Sequence, residues 1–241
     1  MIIEIVSNDK RYIELNNLLN VAGYNSSIRK PNEVDFPDVL ILSVRDELSD
    51  SELESVFNRV DTGAVVFSGN GERIKKHFDG EIKDYSKNEY FVNENANLTA
   101  EAFLSYLHTL AGCGARGQKF FISGYGRIGR YLAKILSCLG GEVFVYARRE
   151  EVQNEIVGDG HYFVPLEFAP NADVIINTAP AVLFKSNIID KIPKKAIIVE
   201  LASVCGFEKT ERVNFANGLP GKIMPKSAAK VIFDTIEELI Q

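Results

Sequence analysis

The sequence predicts an α/β protein built as two doubly wound parallel-sheet domains. Short apolar runs of strand length alternate with segments of helical periodicity from the first residue onward. That is the rhythm of βαβ units whose helices cover both faces of a parallel sheet. The alternation breaks at Gly112-Cys113-Gly114-Ala115-Arg116-Gly117 and restarts at Lys119. The length of 241 residues, 46% hydrophobic and 25% charged, suffices for two modest cores.

Residues 2–6, Ile-Ile-Glu-Ile-Val, read as the first strand. Residues 9–22 place Tyr12, Leu15, Leu18 and Leu19 at helical spacing, and Gly23 closes that helix. Strands follow at 39–44 and 63–67, with a polar helix at 49–60 between them and a turn at Ser68-Gly69-Asn70-Gly71. Residues 1–114 are therefore predicted to be flavodoxin-like, a substrate or partner domain ending in a connecting helix. Thr99-Ala100-Glu101-Ala102 opens that helix, with Thr99 as its cap and Phe103, Tyr106, Leu107 and Leu110 as its apolar stripe. Residues 115–241 are predicted to be a Rossmann dinucleotide-binding domain. Strands are expected there at 120–123, 142–146, 174–177 and 196–202, and a last helix from about Ser227 to Ile240. No internal repeat or low-complexity segment interrupts the chain.

Bulk properties narrow the function. No apolar stretch approaches the roughly 20 residues that span a bilayer. The N-terminus reads as a strand rather than a signal peptide. Cys113, Cys138 and Cys205 are odd in number and far apart, which argues against disulfides or a metal site and fits a reducing cytoplasm. A net charge of −6 gives no sign of nucleic-acid binding. The charge is uneven: residues 115–241 hold 16 Lys and Arg against 14 Asp and Glu, leaving −8 on residues 1–114. Surface solvation explains such asymmetry unless a specific anion site lies in the second half.

One such site is legible. Phe120-Phe121-Ile122-Ser123-Gly124-Tyr125-Gly126-Arg127-Ile128-Gly129 is a strand running into G-x-G-x-x-G and a helix. Gly124 permits the sharp turn, Gly126 lets backbone approach a pyrophosphate, and Gly129 lets the helix pack on the sheet. The helix directs its free amides and positive dipole end at the phosphates. A second strand beyond Gly140-Gly141 completes the required context.

That second strand ends in Tyr146-Ala147-Arg148-Arg149, where NAD-binding proteins usually place Asp or Glu to grip the ribose 2′-hydroxyl. Two guanidiniums suit a 2′-phosphate, so NADP is expected, with NAD possible. The alternative is a solvated strand end balanced by Glu150 and Glu151. Two further strand ends, Asn177-Thr178-Ala179-Pro180 and Ala202-Ser203, stand where such folds meet the cofactor. Asn177 and Thr178 are expected to hydrogen-bond ribose or pyrophosphate, and Ala179 and Pro180 to shape the wall near the nicotinamide.

These motifs, with Leu201-Ala202-Ser203, Gly218-Leu219-Pro220-Gly221 and Pro225-Lys226-Ser227-Ala228, resemble those of the nucleotide-binding subunit family of dipicolinate synthase, the bacterial spore enzyme. The likeness is good over 117–240 and patchy before. It implies oxidation of a dihydrodipicolinate-like dicarboxylate to aromatic dipicolinate, with a nicotinamide as hydride acceptor and the protein orienting the reactants. It also implies a partner, the flavoprotein-like second subunit of dipicolinate synthase; homo-oligomers stay open. A dicarboxylate needs cations or amides around it. Arg45, Lys226 and the backbone of Gly218, Leu219, Pro220 and Gly221 are the candidates, with Thr99, Glu101 and Lys226 as catalytic candidates. Each has a plainer reading: Arg45 as an ion-pair partner of Asp46 or Glu47, Glu101 as support for a helix start, Lys226 as a carbonyl cap.

The sequence also departs from that family. Val204-Cys205 stands where Arg-Pro is usual, Leu98-Thr99-Ala100-Glu101-Ala102 replaces Pro-Thr-x-Glu-Gly, and a Ser/Thr/Gly-rich loop is reduced to Ser43-Val44-Arg45-Asp46. All three changes fall on the substrate side. A non-catalytic NAD(P)-binding module is therefore an alternative. A D-2-hydroxyacid dehydrogenase-like enzyme is less well supported, because His77, His108 and His161 have no catalytic context and Val204 occupies the position of its substrate arginine.

Overall fold

The computed structural model describes residues 1–45 and 47–240, with Glu150 and Ile240 described by backbone alone. Asp46, the suggested partner of Arg45, and Gln241 lie outside the described residues. The chain forms two compact units, Met1–Asn95 with Pro220–Gln241 and Ala96–Leu219. The boundary thus differs from the one expected at 114/115. The final helix belongs with the first unit because it packs against that unit's first helix.

The first unit holds β1 (Ile2–Val6), α1 (Lys10–Val21), β2 (Asn25–Ile28), β3 (Val39–Leu42), α2 (Asp50–Phe57), β4 (Val65–Ser68), α3 (Gly71–Ile74) and β5 (Glu81–Asp84). All pairings are parallel, in the order β2-β1-β3-β4-β5. This is the flavodoxin-like order. β3 is Val-Leu-Ile-Leu and buried throughout, as a central strand covered on both faces must be. Leu40, Leu42, Leu53, Val56 and Val66 form one core cluster. Ser49 caps α2 in a reciprocal capping box with Glu52.

The long α4 (Glu89–Ala111) begins ten residues before Thr99. Thr99 is therefore not its cap. That work falls to Asn88, whose side chain accepts the Phe91 amide at 2.8 Å. The Asn-rich stretch that reads as loop is held helical by the burial of Phe91, Ala96 and Leu98, which overrides weak propensity.

The second unit contains β6 (Lys119–Ser123), α5 (Arg127–Cys138), β7 (Glu142–Tyr146), α6 (Glu150–Gly158), β8 (Tyr162–Phe163), β9 (Val174–Asn177), α7 (Ser186–Ile189), β10 (Ile197–Glu200) and β11 (Val213–Phe215). The parallel order β11-β10-β9-β6-β7-β8 is the Rossmann order read from the other edge. Phe121, Ile175, Phe184, Ile198 and Phe207 pack in one cluster, with Phe184 and Phe207 stacked at 4.3 Å between centroids.

The chain closes with α8 (Leu219–Ile223) and α9 (Pro225–Ile240). Pro225 opens α9, a position where a missing N–H costs nothing. The Ala228 amide bonds the Met224 carbonyl at 3.0 Å, so Ser227 lies inside the helix rather than capping it. No helix among the described residues is long and apolar enough to cross a membrane.

Candidate functional site

In the second unit the residues expected to hold a dinucleotide converge on a cleft of about 190 Å³. Its walls are the turn Gly124, Tyr125 and Gly126, the β7 end from Tyr146 to Arg149 with Val152, and Ala179 with Leu183. Gly124 has φ +100°, and a Cβ there would stand 2.7 Å from Thr178 Oγ1. A Cβ on Gly129 would meet the Gly124 carbonyl oxygen at 2.3 Å, so helix and turn can approach only as glycines. A Cβ on Gly126 would meet nothing within 4 Å. Free space over Gly126, at the open end of the twelve-residue α5, is the cradle a pyrophosphate needs.

Tyr125 contributes to this turn mainly as an anchor. Its hydroxyl donates to Asp159 Oδ2 at 2.7 Å, and the Arg130 guanidinium lies 4.8 Å from its ring centroid. Burial and the Asp159 carboxylate hold the phenol far above its ordinary range, so it stays a donor. Arg130 pairs in turn with Glu155. His161 packs edge-on against Tyr125 and reaches Ser137 Oγ at 3.2 Å, a packing role. Arg127 is exposed and Ile128 half-buried at the start of α5.

Ala147 is buried at the end of β7, and Arg148 and Arg149 are exposed just beyond it. No acidic residue occupies 146–149. The Glu150 side chain, the suggested counter-charge, lies outside the described atoms.

Asn177 differs from its expected role. It is fully buried, and its amide is committed to Glu200, Ala179 and Ser123 rather than turned to the cleft. Thr178 Oγ1 donates to the Ser123 carbonyl at 3.0 Å and braces the glycine turn. Ala179 lines the cleft, Pro180 and Ser203 are exposed, and Ala202 is buried. Tyr146, Val152 and Leu183 also line the cleft, although no motif marks them as ligand contacts. Tyr146 and Val152 flank the arginine pair in sequence, whereas Leu183 carries no sequence signal.

The catalytic and substrate candidates are distributed differently. Thr99 is 7% exposed inside α4 while Glu101 is exposed two residues on. Residues at i and i+2 of a helix do not share a face, so the two cannot serve one reacting group as a pair. Leu219, Pro220 and Gly221 are buried in α8, which corrects their reading as an open amide cradle; Gly218, half-buried, precedes it. Arg45 and Lys226 are exposed side chains of the first unit.

The first unit also has a recess of about 680 Å³ beyond the carboxyl ends of β1, β2 and β3, which no motif announces. Ser7, Asn8, Arg29, Lys30, Ser43 and Ser55 are among its walls. The crossover from β2 to β3 has only the 3₁₀ turn Pro31–Glu33 where a covering helix is usual. Arg29 Nε donates to buried Glu4 at 2.8 Å, and the Asp35 amide donates to the same carboxylate at 2.9 Å.

Comparison with known proteins agrees with this geometry. Residues 89–203 match the model of the D-isomer specific 2-hydroxyacid dehydrogenase NAD binding domain, which supports a nicotinamide dinucleotide as ligand. The nucleotide-binding subunit of dipicolinate synthase from Bacillus subtilis is 24% identical over 202 residues, covering 76% of this chain and 67% of that protein. The B. subtilis crystal structure superposes with TM-score 0.81 at 20% identity, covering 100% of this chain and 95% of the other. The Bacillus halodurans structure of the same subunit gives TM-score 0.79 at 20% identity, with coverage of 99% and 97%. The resemblance read from the motifs therefore holds in sequence and in fold: this chain is similar to the nucleotide-binding subunit of dipicolinate synthase along nearly its whole length.

Proposed function

We propose that the chain is an NADP-dependent oxidoreductase of the dipicolinate synthase type, acting with a partner subunit on a dihydrodipicolinate-like dicarboxylate. The observation that carries the reading is the open cradle over Gly126 beside an acid-free Arg148-Arg149 strand end. The two guanidiniums provide charge-assisted bonds for a 2′-phosphate, and a carboxylate that would repel it is missing from 146–149.

A bound nicotinamide supplies the two-electron acceptor. The dihydropyridine substrate gives up a hydride and a proton, and aromatisation of its ring favours the transfer. The protein then needs chiefly to orient and to neutralise. Arg45 and Lys226 are its proposed partners for the substrate carboxylates, and Glu101 its proposed proton acceptor. Val204-Cys205 and the burial of Thr99 favour a second reading, a cofactor-binding module without turnover.

A hydride-transfer assay with enzymatically generated substrate, run with and without the flavoprotein-like second subunit of dipicolinate synthase, separates the two. NADPH formation supports the enzyme. Tight NADPH binding with no turnover in either arm supports the module.

A further inference from the structure

Ser123, Asn177 and Glu200 are the last residues of β6, β9 and β10, three adjacent strands. Strand register sets Ser123 opposite Asn177 and Asn177 opposite Glu200, so the three form one polar row across the sheet. Their exposures are 0%, 0% and 1%. Ser123 Oγ donates to Asn177 Oδ1 at 2.6 Å. Asn177 Nδ2 donates to both Glu200 oxygens, at 2.8 and 3.0 Å.

The remaining bonds of this row run to loops. Glu200 accepts the amides of Ala202 at 2.8 Å and Gly206 at 2.6 Å, and Asn177 Nδ2 also donates to the Ala179 carbonyl at 2.9 Å. The Gly206 carbonyl in turn accepts the Leu183 amide at 2.8 Å. Ala179 and Leu183 both line the cleft. Gly206 must be glycine for this, since a Cβ there would lie 2.4 Å from Asn177 Nδ2. One buried carboxylate thus ties the loop after β9 and the loop after β10 to the strand that carries the glycine turn. Four hydrogen-bond donors converge on it, counting Cys205, and they offset a burial that otherwise raises its carboxyl.

The position of this row relative to a dinucleotide follows from topology. The pyrophosphate cradle is at the end of β6 and the arginine pair at the end of β7. The other half of the ligand must therefore lie on the side of β9 and β10. We propose that Glu200 is a positioning residue for the nicotinamide half of the cofactor, holding the 177–181 and 201–206 loops in the shape that receives it. The inference rests on the dinucleotide reading of the cleft.

Glu200→Gln keeps the size of the side chain but sets an amide NH2 against backbone donors. Calorimetric titration of the full chain compares NADPH with 2′-phospho-ADP-ribose, the same ligand without nicotinamide. NADPH affinity is expected to fall about tenfold or more, and 2′-phospho-ADP-ribose affinity to change less than about twofold. Equal losses for both ligands, or none for either, overturn the proposal. Ser123→Ala, at the far end of the row, provides a milder variant should Glu200→Gln not fold. A smaller loss confined to NADPH supports the proposal, and an unselective effect overturns it. If the unmutated chain binds neither ligand, the dinucleotide reading itself fails and takes this one with it.

Discussion

The guanidinium of Arg11 occupies the space that a side chain on Gly221 would need: a Cβ there would stand 2.8 Å from both Nε and Nη2. Arg11 is 3% exposed and held by Asp9, so it cannot swing aside cheaply. Gly221→Ala is expected to destabilise the first unit by about 1–3 kcal/mol, the usual range for overpacking. Gly63→Ala, where a Cβ meets nothing within 4 Å, is the control. Denaturant midpoints of the two variants should differ clearly, with the control near the unmutated chain.

The Asp9–Arg11 pair itself gives a second prediction. Asp9 Oδ2 accepts Nη2 at 2.7 Å and Nε at 2.9 Å, and Oδ1 accepts the Arg11 amide at 3.0 Å as the cap of α1. Burial pushes the Asp9 carboxyl up, but the Arg11 bonds outweigh it and hold the group below its ordinary value. Asp9→Asn strands a buried guanidinium and should cost about 3–5 kcal/mol near neutrality. A depressed carboxyl stabilises the fold above its unfolded value and ceases to as pH falls through its folded one. The gap between unmutated and Asp9→Asn chains should therefore be constant down to about pH 5 and shrink below about pH 4. Urea melts at several pH values measure it.

Two glycines of one motif should fail in different ways. Gly126→Val puts a branched side chain into open space, so the unfolding temperature should hold while NADPH binding disappears. Gly129→Ala drives a methyl into the Gly124 carbonyl and should lower the unfolding temperature itself. Normal NADPH binding by Gly126→Val would reduce the motif to a structural turn.

Cofactor choice is tested at Arg148 and Arg149. The unmutated chain should bind NADPH about tenfold more tightly than NADH, roughly 1.4 kcal/mol. Replacing both residues by Ala should erase the preference and leave NADH affinity largely intact. Equal affinities before mutation would remove the case for NADP.

Lys226 tests the substrate assignment. It is the exposed second residue of α9, where the helix N-terminus adds to its attraction for a carboxylate. Lys226→Met should leave NADPH affinity unchanged and weaken binding of dipicolinate, the proposed product. If dipicolinate binds neither chain while NADPH binds both, the non-catalytic reading takes over.

What the sequence disclosed and what it hid follow from burial. Val39–Leu42 and Val174–Asn177 are legible because central strands are apolar on both faces. β2, Asn-Ser-Ser-Ile, and β5, Glu-Ile-Lys-Asp, are edge strands, where half the surface is wet and the periodic signal is lost. The glycine turn is legible because its spacing is set by covalent geometry and close approach. Glu200 is not, because a lone acid at the end of an apolar strand shows its worth only when Asn177 and the Gly206 amide are brought to it by register. Leu219-Pro220-Gly221 looks like a binding loop for the opposite reason: a glycine demanded by a buried arginine over 200 residues earlier has the same local appearance as one demanded by a ligand.

The packing of α1 against α9 makes the first unit discontinuous in sequence. The second unit, Ala96–Leu219, is one uninterrupted stretch and is synthesised in full before Pro225 is made. During synthesis the order of maturation is thus reversed: the half that is translated first is finished last. Until α9 arrives, the face of α1 that bears Arg11 has no cover, and the nascent chain carries an open hydrophobic seam for the last seconds of its translation.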